Sequence, residues 1–219
     1  NVNNLSKTGT DLPAQRVQFA ALLEILGVDK NISPALTDSL IDWLDKDDIS
    51  EPQGAEFDYY IGLDRPYRTA NGLMASPSEL RLVKGFTDEV MRKIKDEVCV
   101  IPRVNTPINV NTASSKVLES IAGLKGHGDR IVKDRDGDPK ADTVEDDAPF
   151  ERMTEFTSYV TNTLRVPTYN PKGLQTFSEY FLLESRTQLG TGDVKLFSII
   201  YRDQNNATTK LIRQTSGEL

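Results

Sequence analysis

The chain is poor in the residues that carry most enzyme chemistry. It has one cysteine, one histidine and one tryptophan in 219 residues. A lone cysteine allows no intrachain disulfide. Cys99 and His127 lie far apart in sequence, which argues against a Cys–His catalytic pair or a zinc site built on thiolate and imidazole. Cys99 falls in the apolar run from Val98 to Ile101 and reads as a small buried hydrophobe. Aromatic residues make up only 7%, too few for the stacking platforms of a carbohydrate-active enzyme, although paired carboxylates such as Asp45 and Glu56 are the groups such an enzyme would use. No apolar run is long enough to span a bilayer, and no signal peptide is visible. Residue 1 is Asn and not Met, so the expectation is a mature or trimmed chain. Positive charge is also in deficit. The formal charge of -7 opposes phosphate backbones and argues against a nucleic-acid partner.

What is present is acid, concentrated. Asp42-Trp43-Leu44-Asp45-Lys46-Asp47-Asp48 is followed closely by Gly54-Ala55-Glu56-Phe57-Asp58-Tyr59-Tyr60. Carboxylates at this density repel one another unless a cation or basic side chain offsets them. The stretch is therefore a site for something positive or a solvated loop with partners such as Arg65 and Arg68. The aromatic residues at both ends favour the first reading, with Trp43, Tyr59 and Tyr60 as core.

The first two thirds of the chain read as helices. Phe19, Leu22, Leu23 and Leu26 share one face after Pro13. Leu36, Leu40, Trp43 and Leu44 share another after Ser33-Pro34. The acidic cluster begins where this second helix ends, an unfavourable place for carboxylates because the helix C-terminus is itself partly negative. Ser76-Pro77-Ser78-Glu79 is a capping box, and Thr87 caps a helix stapled by Phe86 and Met91. Val117, Leu118, Ile121 and Leu124 open a helix-hairpin-helix-like module. Its Gly123-Leu124-Lys125-Gly126 turn departs by one residue from the spacing that binds DNA, leaving nucleic-acid binding as the weaker alternative. Residues 125–149 read as a mobile acidic insert. Within it Asp134, Asp136, Asp138, Asp142 and Glu145 take positions 1, 3, 5, 9 and 12 of an EF-hand-like loop, with Pro139 where glycine is wanted; a solvated loop is the other reading. Phe150 to Leu164 reads as helix. After Pro167 and Pro171 the period changes, and runs around Tyr180 to Leu183, Val194 to Tyr201 and Thr208 to Arg213 predict a three-stranded antiparallel meander. Such a meander needs a helix laid against it.

In these residues the chain resembles the K-class minor pseudopilins of type II secretion systems (general secretion pathway protein K). The resemblance is carried by Asn1-Val2-Asn3-Asn4-Leu5, Asp42-Trp43-Leu44-Asp45, Gly54-Ala55-Glu56, Tyr59-Tyr60, Pro66-Tyr67-Arg68, Ser78-Glu79-Leu80-Arg81, Ile108-Asn109-Val110-Asn111-Thr112-Ala113 and Ser178-Glu179-Tyr180-Phe181. It implies an α+β fold: a pilin-like antiparallel sheet interrupted by a large helical insertion with helix-hairpin-helix or SAM-like modules. On this reading residues 1–12 begin the pseudopilin domain, 13–165 form the insertion and 166–219 complete the sheet. The resemblance implies a non-enzymatic protein of the pseudopilus tip, working with I- and J-class minor pseudopilins to start or cap the fibre. Secreted cargo or the outer-membrane secretin are further contacts. It also implies an inner-membrane helix ahead of residue 1, a periplasmic globular part, and bound calcium. The resemblance does not fix the ligands residue by residue; from their spacing at or beside the matching motif the expected ones are Asp45, Asp47, Asp48, Glu51 and Glu56, with the EF-hand-like positions of the acidic insert as second choice.

Overall fold

The computed structural model describes residues 1–137, 148–190 and 192–216. It divides into two compact units, Asn1–Thr176 and Phe177–Leu219. The first is helical. Helix α1 spans Leu12–Ile25 and buries Phe19, Leu22 and Leu23. Helix α2, Ser33–Leu44, is the spine of the unit: ten of its twelve residues are buried, so polar side chains on it must find partners inside the protein. The short α3, Phe57–Ile61, follows. The expected capping box at Ser76 and Glu79 closes a 3-10 turn, Pro77–Leu82, and not an α-helix. Helix α4, Asp88–Ile94, starts at the Thr87 cap, with Phe86 and Met91 both buried as a staple requires. These elements share one apolar cluster running from Val2 to Val100. Trp43 and Tyr60 lie at its heart with ring centroids 5.3 Å apart, edge to face. Tyr59, expected in the core, is half-exposed.

The first five residues plug this cluster. Val2, Asn3, Asn4 and Leu5 are buried in a 3-10 turn. Asn3 donates from Nδ2 to the carbonyls of Met74 (3.0 Å) and Ile101 (2.8 Å) and accepts from the Met74 N–H (2.9 Å). Asn4 pairs with both backbone groups of Thr106 (2.8 and 2.9 Å). A primary amide is the side chain that can serve a backbone N–H and C=O together. Residues 1–12, expected to open the sheet domain, thus belong to the helical unit. Cys99 is exposed and not buried: it lies in extended chain between Val98 and Val100, which face inward, and alternation turns it out.

A second cluster of the same unit runs from Val110 to Val166. Strand β1, Ile108–Asn109, pairs in parallel with β2, Leu174–Gln175. Between them come α5 (Ser115–Glu119), α6 (Gly128–Asp136) and α7 (Met153–Ser158), the last passing into a π-turn, Tyr159–Thr163. Part of the stretch expected to be a mobile insert is therefore helix. Ile131 is fully buried, and the buried Arg135 donates to the carbonyls of Val110 and Ala113, both at 2.9 Å.

The second unit is a meander of β3 (Tyr180–Leu189), β4 (Gly192–Asp203) and β5 (Thr208–Ser216), antiparallel and in that order. Tyr180 faces Tyr201, and the β4–β5 register shifts at Ile199/Ile200. Phe181 and Leu183 on one face and Leu182 on the other are 43–56% exposed. The units divide at Thr176/Phe177, eleven residues beyond the expected division at 165/166, because β2 is tied back to β1. The α+β class holds.

Candidate cation site

Three carboxylates meet at the end of α2. Asp42, Asp45 and Glu56 each place an oxygen within 4.8 Å of the others, and all three are buried. Asp38, Asp42 and Asp45 recur at i, i+4 and i+7, so one face of α2 carries them. Asp38 is held by Arg16 and by the Gln53 N–H (3.2 Å). Asp42 accepts from the N–H groups of Glu51 (3.0 Å) and Ala55 (2.8 Å). The loop after α2 therefore wraps the Asp42 carboxylate. A Cβ on Gly54 would sit 1.8 Å from Asp42 Oδ2, so the wrap needs glycine there. Asp45 caps α2, with Oδ1 accepting from the Asp47 N–H (3.1 Å) and Oδ2 facing Lys7 Nζ at 2.8 Å.

Glu56 stands apart. It is 5% exposed, and neither of its oxygens has a hydrogen-bond partner among the described residues. A buried carboxylate without a donor is costly in its charged form. Its pKa accordingly rises to about 7, first from burial and then from the charges of Asp42, Asp45, Asp48 and Asp47. Burial likewise lifts Asp42 to about 6, opposed by its two backbone hydrogen bonds and reinforced by Asp45 and Glu51.

The structure sorts the five expected ligands into three groups. Asp45 and Glu56 converge, together with Asp42, which the reading of the sequence left out of its ligand set. The signal in the sequence was the Asp42/Asp45 spacing on the apolar, buried face of α2. Asp47 and Glu51 turn toward basic side chains: Lys7 Nζ lies 3.4 Å from each, and Arg16 donates to Glu51 at 2.9 Å. Asp48 is exposed, accepts from Asn71 (3.4 Å) and lines a cleft with Glu56, Phe57 and Tyr59. Burial opposes the Lys7 charge, but its bonds to Asp45 and Glu51 and the charges of Asp45 and Asp47 hold the ammonium above the usual lysine range.

The EF-hand-like reading does not take shape in its described part. Asp134 and Asp136 lie on α6, where residues two apart point to different sides. Asp134 is engaged by Arg130 (2.6 Å) and Tyr159 (2.9 Å), Asp136 by Arg135. Asp138, Asp142 and Glu145 lie outside the described residues.

The donor set of the α2 site suits a hard divalent ion. Calcium takes oxygen ligands at about 2.3–2.6 Å, so oxygens on opposite sides of one ion lie about 5 Å apart. The triad fits within that span. Asp42 and Asp45 with Glu56 could hold such an ion, and the Glu56 oxygens need it most.

Fold and site together define an α+β protein in which a helical unit with a buried carboxylate cluster precedes an antiparallel sheet. The family model for type II secretion system (T2SS) protein K matches residues 1–103, which include the α2 site. Type II secretion system protein K of Aeromonas hydrophila is 30% identical over 99% of the chain and 67% of its own length. The Pseudomonas aeruginosa protein K is 32% identical over 97% of the chain and 60% of its own length. The chain thus spans about two thirds of these relatives, and it belongs to the type II secretion system protein K family. A chain in the crystal structure of the GspK-GspI-GspJ complex from the enterotoxigenic Escherichia coli Type 2 Secretion System has the same fold. It superposes over 100% of this chain and 76% of its own with a TM-score of 0.82, at 22% identity.

Proposed function

We propose that the chain is the globular part of a minor pseudopilin that assembles with I- and J-class partners at the tip of the secretion pseudopilus, where it starts or caps the fibre. The observation that carries this reading is the superposition of the whole chain on a component of a complex of three such proteins. An inner-membrane helix ahead of residue 1 and a periplasmic setting follow from the same reading. So does a non-catalytic role, with the α5–α6 hairpin as a packing module: Gly123 closes against Thr168 and Tyr169 too tightly for a Cβ. Light scattering on an equimolar mixture with the soluble I- and J-class domains of the same secretion system tests it. A mass equal to the three summed supports the proposal; three separate monomers overturn it.

Within this role we assign calcium to the Asp42, Asp45 and Glu56 site. The unpartnered Glu56 oxygens are the supporting observation. The ion would supply charge compensation and fix the 45–56 loop on α2. Melting in calcium and in chelator tests it. Calcium raises the melting temperature of the native chain, and the Asp45→Ala variant loses that shift. Identical melting curves in chelator and calcium overturn the assignment.

A further inference from the structure

Building on the calcium assignment, we infer that Lys7 is an internal counter-ion that competes with the divalent cation and sets the affinity of the site. One ammonium reaches three carboxylates: Asp45 at 2.8 Å, and Asp47 and Glu51 at 3.4 Å each. Its 2.8 Å approach is to Oδ2 of Asp45, a buried oxygen with no hydrogen-bond partner among the described residues, on the residue that also joins Asp42 and Glu56 in the triad. Among the described residues neither Glu56 oxygen has a hydrogen-bond partner, so Lys7 neutralises one side of the cluster and leaves the other for a cation.

The ammonium is delivered from a fixed point. Leu5 and Ser6 are buried, and the Ser6 N–H is bonded to the Asn3 carbonyl (3.2 Å) and the Ser6 carbonyl to the Gly9 N–H (2.9 Å). Lys7 therefore cannot drift far from the triad, although its own side chain is 31% exposed. A dication at the triad meets this positive charge at short range, and the repulsion between them is paid in affinity. Linkage makes the relation reciprocal: whatever Lys7 takes from the calcium affinity, calcium takes from the hold of Lys7 on Asp45. Without the ion, Lys7 holds the end of α2 and its loop together. With it, the ion does so and Lys7 is loosened. The opening segment and the calcium site are thereby coupled through one side chain.

Calorimetric calcium titration of the metal-stripped chain, with melting curves in chelator, tests this on wild type, Lys7→Gln, Lys7→Arg and Glu56→Gln. Lys7→Gln is expected to bind calcium about tenfold more tightly than wild type and to melt at lower temperature in chelator. Lys7→Arg, which keeps the charge, is expected to bind like wild type. Equal or weaker binding by Lys7→Gln overturns the role of Lys7 and leaves the calcium assignment standing. No binding by wild type or Lys7→Gln at millimolar calcium, or binding by Glu56→Gln indistinguishable from wild type, overturns the assignment and the role of Lys7 with it.

Discussion

At the scale of single residues the dominant fact is that Glu56 and Asp42 are harder to ionise in the folded chain than in the unfolded one. Their pKa values stand at about 7 and about 6, against 4.5 and 3.8. At these two groups the folded state binds more protons between those limits, so their contribution to stability is fully present below the unfolded values and is lost as pH rises through the folded ones. The metal-free protein is expected to melt at a lower temperature at pH 8 than at pH 5. Calcium needs the ionised carboxylates, so its stabilising increment grows over the same window. Melting curves at pH 5, 6, 7 and 8 with and without calcium check both trends; a flat metal-free profile would mean that the triad is already neutralised. Glu56→Gln removes the unpaired charge, and at pH 8 without metal it is expected to gain about 1–2 kcal/mol over wild type. The density of carboxylates, and the repulsion it brings, was legible in the composition of residues 42–56. The sorting of them was not. It depends on Lys7 and Arg16, which local spacing cannot bring to α2, and on the turn of a buried helix that aims Asp42 inward.

Among the elements, α2 was the most readable and the opening segment the least. Apolar periodicity identified α2, and capping residues identified α4, because those signals are local. Asn1 to Leu5 carry no period, and their long-range partners lie 71 to 105 residues away, so they read as a polar lead-in. Yet Asn3 closes three backbone hydrogen bonds on two separate loops from a fully buried position. Asn3→Ala leaves those groups unpaired and is expected to cost about 2–3 kcal/mol, measurable as a fall in the denaturant midpoint at unchanged slope. The loop after α2 is equally exacting. Gly54→Ala forces a methyl group into Asp42 and is expected to lower both the melting temperature and the calcium increment; an unchanged increment would show that Asp42 is not a ligand. The short β1–β2 pair escaped prediction for the same reason as the asparagines: two-residue strands leave no period, and only their pairing at a separation of 66 residues reveals them.

For the whole molecule the division at Thr176 makes a separable claim about which unit does what. The helical unit contains both apolar clusters and the carboxylate site. The sheet unit has three strands and apolar residues exposed on both faces, and a sheet of that kind is marginal unless something covers it. Residues 1–176 are therefore expected to melt cooperatively and within a few degrees of the full chain, keeping the calcium increment. Residues 177–219 alone are expected to show no cooperative transition. If assembly contacts lie on the sheet, the 1–176 fragment binds calcium but does not join the I- and J-class domains in light scattering. If they lie on the helical unit, the fragment still joins them. An unfolded 1–176 fragment would mean that the units stabilise each other and that calcium and assembly cannot be assigned to one unit apiece.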